Sequence, residues 1–88
     1  MQKQKNKKVK LEVITPEKKI FEGEITSIKV PGSKGSFAVL KNHAPLISTL
    51  DEGKVIISTK SNKTEEIKIM GGIIEVKKNS IILLADLV

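Results

Sequence analysis

An all-β domain of antiparallel strands, closed as a sandwich or barrel, is predicted by three observations. From Val9 onward, β-branched residues arrive in short runs. Turn residues interrupt those runs every few positions, and no helix is needed to account for any stretch. The first run, Val9-Lys10-Leu11-Glu12-Val13, alternates apolar and charged side chains, so a period of two turns its apolar face inward and its charges to water.

Thr15-Pro16-Glu17 then turns the chain. Lys19-Ile20-Phe21-Glu22 reads as a short strand, and Gly23 is expected to break it ahead of residues 25–30, where Ile28 and Val30 share a face. Pro31-Gly32 ends that strand, and Gly35 lets Ser36-Phe37-Ala38-Val39-Leu40 begin another. Residues 42–45 form a tight connection to a brief apolar strand at 46–50, and Asp51-Glu52-Gly53 is a plain turn. Residues 54–59 and 66–70 are joined across Ser61-Asn62-Lys63, a polar hairpin tip with no apolar side chain to bury. Gly71-Gly72 reads as a strand break where backbones approach closely. Residues 73–76 and 81–84 make the last hairpin, over Lys77-Lys78-Asn79-Ser80. Because Ile81-Ile82-Leu83-Leu84 is apolar on both faces, that strand is expected to be covered on both sides, and an intersubunit contact is one candidate for a cover.

The 88 residues allow one domain with one core, and a chain of this size buries only about 60–65% of its unfolded surface. There is no cysteine, so disulfides and thiolate metal sites are excluded and a reducing compartment is expected. No apolar run approaches the roughly 20 residues of a membrane-spanning helix. The net charge of +6 raises nucleic acid as a partner, but Lys3, Lys5, Lys7 and Lys8 lie in an acid-free start and residues 9–88 carry only +2. Residues 1–8 are read as a disordered basic arm, with the domain at 9–88. Every basic residue is lysine, which lacks arginine's bidentate fork, and only Phe21 and Phe37 could stack on bases.

An enzyme would need a nucleophile with its base, paired carboxylates or a metal cage. His43 is the single imidazole, and no G-x-S-x-G or Walker sequence occurs. Glu22 with Glu24 and Glu65 with Glu66 have the spacing of solvated surface carboxylates. Residues 32–35 are no phosphate loop, because a strand follows them where phosphate loops open a helix. No catalytic residue, metal ligand, cofactor or small-molecule substrate is expected. His43 reads either as a structural histidine bonded to backbone at the turn before Pro45 or as an interface residue on a loop.

Gly32-Ser33-Lys34-Gly35-Ser36-Phe37, then Asn42-His43-Ala44-Pro45-Leu46, then Met70-Gly71-Gly72-Ile73-Ile74-Glu75-Val76 and Leu83-Leu84-Ala85-Asp86 fall in a fixed order. With that order and spacing, residues 9–86 resemble the epsilon subunit of the F-type rotary ATP synthase. The resemblance implies a flattened sandwich of two five-stranded sheets. It also implies a non-catalytic rotor part that binds the gamma subunit and the c-ring, and couples ion-driven rotation to ATP synthesis elsewhere in the complex. Such a subunit is peripheral, on the cytoplasmic face of the bacterial inner membrane, and touches the membrane only through the complex. By the same resemblance, Gly32, Ser33, Lys34, Gly35 and Ser36 form the ring-facing loop, while Thr15, His43 and Ser48 lie near the gamma and ring contacts. Gly71-Gly72 carries over as structural.

Two departures accompany it. Family members often carry an acid around the ring-facing turn, where this chain has Lys34, and Asn42 stands where glycine is common before His-Ala-Pro. In longer members Ala-Asp leads into a helical hairpin that inhibits and, in some, binds ATP. A chain ending at Val88 is expected to do neither. The competing readings are a small basic β-domain that binds nucleic acid and a lipoyl- or biotin-carrier sandwich. The first requires lysines gathered on one sheet face. The second requires a modifiable lysine in a Met-Lys-Met-like setting, which Lys63, Lys77 and Lys78 lack.

Overall fold

The computed structural model describes residues 9–61 and 63–87, and every regular element among them is a strand. These are β1 (Val9–Ile14), β2 (Lys19–Ile25), β3 (Ser27–Val30), β4 (Phe37–Leu40), β5 (Leu46–Leu50), β6 (Gly53–Ser58), β7 (Thr64–Lys77) and β8 (Ser80–Leu87). The expected basic arm, residues 1–8, lies outside the described residues.

The alternation in β1 holds as predicted, with Val9, Leu11 and Val13 buried and Lys10 exposed. The same period places Ile28 and Val30 of β3, Val55 and Ile57 of β6, and Ile81 and Leu83 of β8 inside. Ile25 of β2 and Val39 of β4, from opposite ends of the strand order β2-β1-β8-β7-β6-β3-β4, join one core cluster with them. Strands at the two ends of a sheet share a core only when the sheet doubles over on itself, which makes the fold a sandwich. Burying one Ile or Leu side chain is worth about 1.5–3 kcal/mol, against about 0–1 kcal/mol for an exposed ion pair, so this core sets the fold.

Several expectations are corrected. The strands are hydrogen-bonded as one eight-stranded sheet, with β5 off the main path on β7, in place of two separate five-stranded sheets. The reason is β7, which runs unbroken through Gly71-Gly72. Its first part pairs with β6 and its second part with β5, so β5 and β6 lie end to end along one edge of it. The glycines mark a register shift against β8 between Ile69 and Gly71, and no break. Nor does Gly23 break β2, where it pairs with Leu11 and where a strand with a partner on one edge tolerates it. The interruption falls at Thr26, whose N–H and hydroxyl both donate to the Ser58 carbonyl. The sheet is also not wholly antiparallel: β1 and β8, the first and last strands, pair in parallel from Lys10 opposite Ser80 to Ile14 opposite Leu84.

Candidate functional site

The outer face of the β1-β8-β7-β5 half carries an uncovered apolar row. Ile14 lies opposite Leu84, Leu84 opposite Ile73, and Ile73 opposite Thr49, one side chain from each of four neighbouring strands. Directly opposed side chains on one face are close enough to touch. Leu84 is 48% and Ile73 44% exposed, and Ile14 is half-buried. This chain covers β8 on one face only: Ile81 and Leu83 are buried, while Leu84 on the other face, where cover from another subunit is one expectation, meets solvent. At the end of the row Ile14, Thr15, Pro16, Ile73, Leu84 and Asp86 border a shallow depression of about 510 Å³.

Beyond the row the same face is charged. On β1 and β2, Lys10 lies 3.3 Å from Glu22, and Lys19 lies 3.5 Å from Glu12 and 3.2 Å from Glu22. The hydrogen bond from Lys19, helped by Lys10, holds the Glu22 carboxyl below the ordinary glutamate range. The bond to Glu22 raises the Lys19 ammonium in turn. On the other half of the sheet Lys54 lies 3.8 Å from Glu66. Lysines interleaved with acids in this way do not make the one-sign face a nucleic acid requires.

The structure gathers some of the sequence-predicted residues and separates others. The loop carrying Gly32, Ser33, Lys34, Gly35 and Ser36 connects β3 to β4 and is fastened to the end of β5. Gly32 bridges Leu50, the Ser33 N–H donates to the Thr49 carbonyl at 3.0 Å, and the Asp51 N–H donates to the Pro31 carbonyl at 2.8 Å. The Ser33 hydroxyl donates to Asp51 Oδ1 at 3.0 Å and receives the Thr49 hydroxyl at 2.9 Å. Gly35, at φ 122°, closes the turn with its N–H on the Gly32 carbonyl, a conformation that favours glycine. Ser48 of β5 borders the same open groove, about 560 Å³ in volume.

Thr15 belongs to the other depression. Its residue is buried, and its hydroxyl donates to the Lys18 carbonyl at 2.9 Å and accepts from the Lys18 N–H at 3.3 Å. His43 joins neither group. It sits in the β4–β5 connection, at the end of β5 away from the glycine loop, half-buried, with Nδ1 2.7 Å from the Ala44 carbonyl oxygen. The preceding Asn42 takes the positive φ of 65° that a common glycine would supply. Sequence reasoning did not single out Ile14, Ile47 and Ile73 as surface residues. Its available signal was the Ile73-Ile74 pair, because a period of two must turn one of two successive residues outward.

No group of three or more histidine, cysteine, aspartate or glutamate residues suited to a metal ion occurs among the described residues. No described helix is long and apolar enough to cross a membrane.

Residues 8–88 match the family model described as ATP synthase, Delta/Epsilon chain, beta-sandwich domain. The ATP synthase epsilon chain of Leptospira interrogans, serovar copenhageni, is 46% identical over 79 residues, covering 90% of this chain and 61% of that one. The epsilon chain of Chlorobium limicola is 42% identical over 81 residues, covering 92% of each. The chain thus spans 61% of the length of some curated relatives and nearly all of another. In three dimensions it is similar to a chain of the Euglena gracilis mitochondrial ATP synthase (OSCP/F1/c-ring), with a TM-score of 0.86 at 16% identity, over 94% of this chain and 53% of that one. A chain of the Tetrahymena thermophila mitochondrial ATP synthase central stalk and c-ring matches with a TM-score of 0.76 at 19% identity, over 96% and 66%. At those identities the two structures establish the fold. The family match over nearly the whole chain, with relatives above 40% identity, means that this chain belongs to the ATP synthase Delta/Epsilon chain β-sandwich-domain family.

Proposed function

We propose that this chain is a non-catalytic rotor component: its outer apolar row docks against a gamma subunit, and the loop at residues 32–36 faces the c-ring. Rotation of the ring is then passed through the sandwich to gamma and so to ATP synthesis at sites on other subunits. The observation that carries this reading is the row Ile14, Leu84, Ile73, left open on a sheet whose opposite face is packed into the core. A rotor part must resist torque, and a doubled sheet with one continuous core is stiff because its elements cannot shift without opening that core. The glycine loop fits a contact with a moving ring because backbone bonds at Pro31 and Ser33 to the end of β5 anchor its start and the pairing of Phe37 with Val30 anchors its end, while Ser33, Lys34 and Ser36 stay exposed.

On this reading residues 9–88 form one domain, preceded by a basic arm at residues 1–8. The subunit is peripheral on the cytoplasmic face of the bacterial inner membrane, held there by its partners, with no cofactor or small-molecule substrate of its own. The test is size exclusion of the purified chain mixed with its cognate gamma subunit at micromolar concentration. Co-elution as one complex is expected. Separate elution of two folded proteins would remove the reading.

A further inference from the structure

We propose that the free edge of β5 at Ile47 takes up an extended segment of the protein that covers the apolar row, as an added strand. The inference rests on the docking reading above and names how that partner is gripped. The geometry begins at the other end of β5. There the Thr49 carbonyl accepts from Ser33 N–H and the Asp51 N–H donates to the Pro31 carbonyl, with Gly32 opposite Leu50. The chain after β3 has therefore already added a short strand-like pairing to the edge of β5 that faces away from β7.

Within a strand the N–H and C=O of alternate residues point to the same edge. Ile47 is two residues from Thr49, so its N–H and C=O leave that edge too. The loop turns away after Ser33, through the bond from Gly35 N–H to the Gly32 carbonyl, before it reaches Ile47. On its other side β5 pairs only with β7. Upstream, Pro45 offers a carbonyl but no N–H. What remains is a gap for a segment of about four residues, bounded by the loop at one end and the proline at the other.

The surroundings give that segment its chemistry. Ile47 is 72% exposed, more than any other large apolar side chain described, and it borders the open groove of about 560 Å³ beside the glycine loop. Lys34 stands at the rim of that groove and takes part in none of the ion pairs described. An aliphatic residue near Ile47 with a carboxylate within reach of Lys34 is the complement. The segment belongs to the partner on the apolar row because Thr49, the residue flanking the gap, is also the last member of that row, opposite Ile73. A protein seated on Leu84 and Ile73 reaches the edge without leaving the surface. Adding a strand to an exposed edge takes its affinity from main-chain hydrogen bonds and its selectivity from side-chain pockets.

The test is amide hydrogen exchange by NMR on the isotope-labelled chain, free and bound to the unlabelled cognate gamma subunit, with size exclusion confirming the complex. The Ile47 amide, fast in the free chain, is expected to slow by about 100-fold or more in the complex, as for an amide taken into a ladder. Ile47→Pro removes only an outward N–H, and it should weaken the complex by about 10-fold or more, the loss of one or two backbone hydrogen bonds, while Ile47→Val binds within about threefold of wild type. Lys34→Glu should weaken it at low salt. A co-eluting complex in which Ile47 exchanges at the free rate overturns this inference and leaves docking intact, whereas failure to co-elute overturns both. Tighter binding by Lys34→Glu would overturn the acidic character assigned to the segment.

Discussion

Gly72 lies so close beside β8 that a Cβ placed on it would run into the carbonyl oxygen of Leu84, with the Ala85 Cα 3.2 Å away. The relationship explains why two adjacent glycines in β7 are not equivalent. Leu84 is also the centre of the exposed row, so the glycine sets how closely β7 and β8 approach beneath the surface that is read as the docking face. Gly72→Ala must push backbone against backbone and is expected to cost about 2–3 kcal/mol or more, on the scale of overpacking. At Gly71 the nearest atom, the Leu50 carbonyl oxygen, is 3.5 Å from an added Cβ, so Gly71→Ala should stay within about 1 kcal/mol of wild type. Urea unfolding of both variants checks the contrast, and equal losses would contradict it.

Thr15 is expected to act inside the chain. Both capacities of its hydroxyl are used on Lys18 and the residue is buried. Thr15→Val should therefore lower stability by about 1–2 kcal/mol, the range for hydrogen bonds lost from a buried group. Thr15→Ser, which keeps the hydroxyl, should recover most of it. The check is thermal unfolding alongside binding to gamma. A large loss of affinity at unchanged stability would make Thr15 a contact residue instead.

The Lys10, Lys19 and Glu22 cluster gives a pH dependence of known sign. The folded protein holds Glu22 below its ordinary value of 4.5, so its contribution is present above that pH and is lost as pH falls through the depressed value. Lys19, raised above 10.5, contributes below that pH and loses its part only as pH rises through the raised value. At neutral pH Glu22→Gln should thus melt slightly below wild type, and the difference should shrink as pH falls below 4.5 through the depressed value. These groups are exposed, so the difference should also shrink in about 1 M salt. Melting curves across pH and salt settle it, and a gap that widened on acidification would contradict the assignment.

The sequence made some of this architecture legible and hid the rest for physical reasons. Alternation in β1 is a local signal, and it holds; at the polar tip between β6 and β7, where Asn62 lies outside the described residues, the flanking Thr59 N–H donates to the Lys63 carbonyl at 2.9 Å. Gly23 and Gly71-Gly72 misled because a glycine weakens an isolated strand, while a partner already in place, Leu11 for Gly23 and both β5 and β8 for Gly72, keeps it extended. The parallel pairing of β1 with β8 joins the two ends of the fold, and nothing near either strand encodes it. In the candidate site, the loop at residues 32–36 was legible from its glycines. The separation of His43 from that loop was not, because it depends on the length and direction of β5. The run Ile81-Ile82-Leu83-Leu84 pointed to a covered outer face, and in the folded chain that cover is missing at Leu84.

Titration of the cognate gamma subunit into the wild-type chain and into Leu84→Lys, with melting temperatures for both, tests the docking claim most directly. Leu84 faces solvent, so the substitution should change stability by no more than about 0.5–1 kcal/mol. A lysine ammonium placed in the middle of a buried apolar contact should nevertheless weaken the complex by about 30-fold or more, as at an interface hot spot. Binding of gamma at micromolar affinity or tighter to the wild type, with that loss at unchanged melting temperature, is the predicted result. Equal binding by Leu84→Lys, or none by either protein, would contradict it.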